Sequence, residues 1–154
     1  MKPIIFLNPM SSLEKCFLDE SLLQKPTTRN FTVFRGQPFC FQVAVSCGAE
    51  GADWDGKVRV PVSFSGPLAP YATARVVVSV AVHYPTYPGE NPEPYLRTAP
   101  GLYPDLLCPL HYDGQLTVPV GQTQTLWVEA DLPQDLAAGE YPLTVSVGDS
   151  AVTV

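Results

Sequence analysis

Residues 38–46 read "PFCFQVAVS". In an extended chain, Phe39, Phe41, Val43 and Val45 face one way, and Cys40, Gln42, Ala44 and Ser46 face the other. A helix would scatter those apolar residues around its axis, so this stretch is a half-buried strand. The same period recurs along the chain. In "KVRVPVSFS" (57–65), Val58, Val60, Val62 and Phe64 alternate with Lys57, Arg59, Pro61 and Ser63. Pro61 has no N–H to donate, which predicts an edge strand or a bulge. "ARVVVSVAVHY" (74–84) is apolar on most of both faces, which predicts a central strand.

"TQTLWVEADL" (123–132) turns Leu126, Val128, Ala130 and Leu132 inward and leaves Trp127, Glu129 and Asp131 on the opposite face. "GEYPLTVSVG" (139–148) turns Tyr141, Leu143, Val145 and Val147 inward, and "VGDSAVTV" (147–154) closes a hairpin at Gly148-Asp149. "KPIIFLN" (2–8), "FTVFRGQ" (31–37) and "GQLTVPVGQT" (114–123) add shorter strands, with a turn at Gly36-Gln37. The helical candidate is "SSLEKCFLDESLL" (11–23), where Ser11 and Glu14 have capping-box spacing. It is short, and a strand or irregular segment fits it equally well. About eight or nine strands at turn-punctuated intervals specify an all-β fold. The expectation is an antiparallel two-sheet sandwich of immunoglobulin or jelly-roll type, forming one domain over residues 1–154.

Bulk properties agree. The chain has 154 residues, 45% hydrophobic and 16% charged, which suffices for a core without staples. Seventeen prolines and eleven glycines suit many turns and few helices. A net charge of −6, with nine scattered Lys and Arg, argues against nucleic acid and anionic membranes as partners. No stretch approaches the ~20 apolar residues of a membrane span. The N-terminus carries no signal-peptide core, and the four cysteines (16, 40, 47 and 108) have no CxxC spacing. The expectation is four reduced thiols in a cytoplasmic protein, or a secreted one if a leader has been removed.

Catalytic patterns do not assemble. There is no GxSxG elbow, no phosphate loop and no zinc pattern, and only His83 and His111 could serve as a histidine base. Cys108 lies three residues from His111, but that spacing reads as a packed thiol beside a surface histidine. Asp53 and Asp55 in "EGADWDG" (50–56) lack the calcium-loop ligand pattern and read as a solvated acidic turn. No cofactor or metal is implied, and the chain by itself is not expected to be an enzyme.

The distinctive feature is a tract of prolines and tyrosines. Residues 84–104 hold six prolines and four tyrosines and run into "GLYPDLLCPL" (101–110). A long proline-stiffened loop exiting through Pro104 and Pro109 is the expectation, with Leu106 and Leu107 as its anchors. Three uses remain open: a crossover packed on a sheet edge, a surface that docks another domain, or a ligand platform. Tyr87, Tyr95, Tyr103, Asp105 and Trp127 are the candidate interface or ligand-facing residues.

Several segments in order carry a resemblance. "FRGQPFCFQVAVSC" holds Arg-Gly-x-x-x-x-Phe-Gln, and "GLYPDLLCPL" holds Tyr-Pro-Asp-x-Leu. "QTQTLWVEADLPQDLAAGEYPLTVSV" then holds Leu-Trp-Val-x-x-x-Leu-Pro and Ala-Gly-Glu-Tyr. Over residues 31–154 this resembles the N-terminal β-sandwich of glycoside hydrolase family 123 and of the related domain-of-unknown-function 4091 proteins. The resemblance implies a sandwich preceding a (β/α)8 barrel. In family 123 that barrel acts on β-linked N-acetylgalactosamine by substrate assistance and an Asp-Glu pair. Nothing in this chain corresponds to the barrel, so no catalytic residue carries over. The expected role is that of a noncatalytic accessory domain, the N-terminal part of a longer protein, partnered with a C-terminal catalytic barrel. The alternative is a stand-alone carbohydrate-binding module with glycan as partner. An adhesion domain of immunoglobulin type is disfavoured, because Cys40 and Cys47 share one strand on opposite faces.

Overall fold

A computed structural model describes residues 2–83 and 95–154. Among the described residues, nine strands form two antiparallel sheets, as the alternation predicts. The strands are β1 (Ile5–Ser11), β2 (Pro38–Cys47), β3 (Lys57–Ser65), β4 (Ala72–Val82), β5 (Gly101–Pro109), β6 (Gln115–Pro119), β7 (Thr123–Asp131), β8 (Thr144–Val147) and β9 (Ser150–Thr153). The first sheet runs β1-β2-β7-β4-β5 and the second β6-β3-β8-β9.

The decisive stretch lies where its pattern puts it. Phe41, Val43 and Val45 of β2 are fully buried and face Val128, Leu126 and Gln124 of β7 in register. Val58, Val60, Val118, Val145 and Val147 close the core from the second sheet. Burying each such side chain contributes about 1.5–3 kcal/mol, which is why the alternation dominates the fold. β4 is internal, between β7 and β5. The hairpin at Gly148-Asp149 forms, with Gly148 at φ 58° matching the twist of β8 and β9.

Proline explains the edges. β1 and β5 bound the first sheet and carry Pro9, Pro104 and Pro109; β6 bounds the second and ends at Pro119. A missing N–H costs little where no further strand pairs. Pro61 sits inside the second sheet, at the point where β3 changes partner. Residues Lys57–Pro61 pair with β6, and Val62–Ser65 pair with β8. The Pro61 carbonyl accepts from Gly148 N–H, so its ring nitrogen lies on the side where the β8 ladder has yet to begin.

Three expectations need correction. Residues 31–34 are not a strand, because both sides of β2 are already occupied by β1 and β7. Phe31 instead packs its ring on Phe39 and Phe41, with centroids 5.0 and 5.5 Å away. Residues 11–23 form a turn after Ser11, irregular chain and a second turn closed by Glu20 N–H on the Phe17 carbonyl, followed by a 3-10 turn at Leu22–Gln24. The carbonyls a helix would need are taken: Gln42 holds those of Ser11, Ser12 and Glu14, and Lys25 holds that of Lys15. Residues 101–109 are strand β5 and not a loop exit. Val78 faces Leu106 while Ser79 faces Pro104, which makes Asp105 the extra residue of a β-bulge.

β7 covers β4 only through Val77, so Val78–Val82 pairs with β5 alone. Beyond Val77 the two strands continue as a two-stranded ribbon.

Candidate functional site

The outer face of the first sheet carries the residues of interest. Leu126 and Val128 are fully buried in the core, so Trp127 between them must point outward. In register it stands between Gln42 of β2 and Arg75 of β4. It is half-buried, because the segment that leaves β1 folds back across this face. Met10, Cys16, Leu22 and Ala44 form a second small core beneath that segment.

Polar ties hold the segment in place. Gln42 is 5% exposed, and its Nε2 donates to the carbonyls of Ser11, Ser12 and Glu14 at 3.2, 3.1 and 2.7 Å. Lys15 Nζ donates to the Pro104 carbonyl at 3.2 Å and so ties the segment to β5. Arg97 forms a two-pronged bond to Asp19 at 3.1 and 3.0 Å and lies over the Phe17 ring, 3.8 Å from its centroid. Lys25 pairs with Glu20 at 2.7 Å, and Glu20 also accepts from Phe17 N–H at 3.0 Å.

Charge states follow from these ties. The bonds from Arg97 hold the Asp19 carboxyl below its ordinary range. Burial works to raise Glu20, but Lys25, the Phe17 N–H and Arg97 outweigh it, and the net direction is down. Burial pushes the Cys16 thiol up, with the Thr125 hydroxyl and Lys25 opposing. Cys40 is pushed up by burial and by Glu129, with the Trp127 indole opposing. Neither thiol is an activated nucleophile.

Between the segment and β5 lies a cleft of about 210 Å³. Trp127, Gln42, Glu14, Lys15 and Asp105 line it, with Val77, Pro104 and Leu107 supplying apolar wall. The structure thus brings together two of the sequence candidates, Trp127 and Asp105. The bulge matters here, because the extra residue re-aims Asp105 on an otherwise regular edge.

The other candidates lie elsewhere. Tyr103 is half-buried, packs edge-on against Phe17 with ring centroids 5.4 Å apart, and reaches the Arg97 and Ala99 carbonyls through its hydroxyl at 3.0 and 2.7 Å. It braces the approach to β5. Tyr95 is 47% exposed on the segment leading into β5, and Tyr87 lies outside the described residues. Gln42, Glu14 and Lys15 were missed in the sequence. The available signal was Gln42, a large amide set among Phe41, Val43 and Ala44 in a strand that is otherwise core.

Outside the cleft, Asp53 and Asp55 pair with Arg59, and Asp55 also with Lys57 at 3.2 Å. His111 contacts Asp113 through Nδ1 at 2.8 Å on an exposed turn, which holds the Asp113 carboxyl down. Among the described residues, no group of three or more His, Cys, Asp or Glu is placed to hold a metal. No helix among the described residues is long and apolar enough to cross a membrane.

No protein-family model and no curated protein matches this sequence. Among solved structures, the fold is similar to part of a family 123 glycoside hydrolase from Clostridium perfringens, a protein described in terms of glycolipid glycan hydrolysis. The TM-score is 0.65 at 11% sequence identity, over 97% of this chain and 26% of that one. The chain therefore spans about a quarter of the length of that neighbour, and the likeness is one of fold.

Proposed function

We propose that this chain is the noncatalytic accessory sandwich of a glycoside hydrolase-like protein, packing against a (β/α)8 catalytic barrel. The observation that carries the reading is the match of nearly the whole chain to about a quarter of a family 123 glycoside hydrolase.

The exposed edge formed by β5 and the segment leading into it is the docking surface. Tyr95, Leu96, Leu102 and Leu106 are 47%, 78%, 48% and 52% exposed within one twelve-residue stretch. Apolar side chains concentrated along an exposed edge favour burial against a partner. The four free thiols support a reducing, cytoplasmic setting.

The test is hydrolysis of a panel of nitrophenyl glycosides, including the N-acetyl-β-galactosaminide. The parent protein is expected to release nitrophenol from at least one of them, and residues 1–154 alone from none. Turnover by residues 1–154 alone refutes the noncatalytic assignment.

A further inference from the structure

We infer that Arg97 is a positioning residue of the docking surface: its grip on the segment that crosses the outer face holds Tyr95 and Leu96 in the arrangement a partner meets. That role rests on the accessory-domain reading for the partner, and on contacts within this chain for the grip.

Residues 95–100 need such a grip. They belong to no strand, and among the described residues no backbone–backbone hydrogen bond holds them. A stretch without a ladder of its own keeps one shape only where side chains fix it. Two side chains do so here. The Tyr103 hydroxyl reaches the Arg97 and Ala99 carbonyls at 3.0 and 2.7 Å, which folds the stretch onto the start of β5. The Arg97 guanidinium then ties it to the rest of the molecule. It makes two bonds to Asp19, at 3.1 and 3.0 Å, and its carbon stands 3.8 Å from the Phe17 ring centroid.

The anchor is itself fixed. Thr123, the first residue of β7, is buried. Its N–H donates to the Leu18 carbonyl at 3.0 Å and its hydroxyl to the Glu20 carbonyl at 2.6 Å, so Asp19 is bracketed by bonds to the first sheet. Phe17 is buried as well and packs edge-on against Tyr103. Position therefore passes from β7 through Asp19 and Arg97 to Tyr95 and Leu96, which carry the exposed apolar surface. The grip also calls for arginine. A planar fork bonds both carboxylate oxygens while its face lies on a ring, whereas lysine keeps the charge and offers a point contact. A partner that meets an edge already ordered loses less freedom on docking.

Arg97→Lys and Tyr103→Phe test this by two readouts. In residues 1–154, nitrogen-15 relaxation reports backbone order at Leu96, Thr98 and Ala99. Order parameters near about 0.85, the rigid value, are expected in the unchanged chain and below about 0.6 in both variants, with β2 and β7 unaltered. In the parent protein, hydrogen exchange over residues 95–106 is compared with that of the same residues in 1–154 alone. Docking slows it, and Arg97→Lys is expected to reduce that slowing about tenfold. Equal order parameters in the Arg97→Lys and unchanged chains overturn the inference, as does full retention of the slowing in an Arg97→Lys parent. An unchanged parent that shows no slowing removes the accessory-domain reading, and the role of Arg97 with it.

Discussion

Gln42→Met tests how the outer face is built. Methionine keeps the length and the unbranched shape of glutamine but donates nothing. Its amide nitrogen serves three carbonyls with two hydrogens, so about two bonds' worth of stabilisation is at stake. At about 1 kcal/mol net per bond, the loss is about 2 kcal/mol. Ser11, Ser12 and Glu14 are half-buried, so water reaches their carbonyls only in part and rescues only in part. For a domain of this size, 2 kcal/mol lowers Tm by roughly 4–8 °C. The assay is thermal unfolding followed by near-ultraviolet circular dichroism, alongside amide exchange of residues 12–20. Exchange there should accelerate while β2 and β7 stay protected. Gln24→Met, at an exposed position, is the control and should shift Tm by less than about 2 °C. A Gln42→Met protein with unchanged Tm and unchanged exchange would show that the segment is held by something other than this amide.

Further outcomes follow from single residues. Gly66→Ala should cost at least about 2 kcal/mol in denaturant unfolding, because Gly66 sits at φ 100° and a Cβ would meet the Pro142 carbonyl oxygen at 2.5 Å; a loss under about 0.5 kcal/mol would contradict that strained close approach. Phe41→Ala should cost about 3–5 kcal/mol, since Phe41 is fully buried between Phe31 and Phe39, and urea unfolding measures it. Asp19 and Glu20 have folded pKa values below their ordinary ones. Their contribution is therefore present above the ordinary carboxylate range of about 4 and is lost as pH falls through the lower folded values. Tm should decline below about pH 4, and Asp19→Asn should flatten that decline. Identical Tm–pH curves for Asp19→Asn and the parent chain would remove Arg97–Asp19 from the account.

Much of the fold was legible because one physical rule dominates it. Where one face of a strand carries the larger apolar side chains, alternation shows, as in β2, β3 and β7, even though the β1–β2 connection covers the other face of β2 as well. It failed at β5, where the bulge at Asp105 shifts the period and leaves Leu106, Leu107 and Cys108 as a continuous apolar run. Prolines there resembled loop chemistry, although an edge strand tolerates them equally well. The segment 12–23 was ambiguous because its backbone partners lie on Gln42 and Lys25, a long-range arrangement that local propensity does not encode. The cleft was legible only in pieces. Trp127 and Asp105 stood out as residue types, but their meeting depends on the order β7-β4-β5. Glu14 and Lys15 join them because a 26-residue connection between β1 and β2 crosses that face.

The accessory-domain reading meets its most direct test in a mixing experiment. Residues 1–154 and the catalytic part of the parent protein are produced as separate polypeptides and passed together over a sizing column with light-scattering detection. The account predicts a 1:1 complex that Leu102→Asp with Leu106→Asp disrupts, both side chains being about half-exposed on the β4–β5 ribbon. Separate elution of the two parts, or a complex indifferent to that pair of changes, would contradict it.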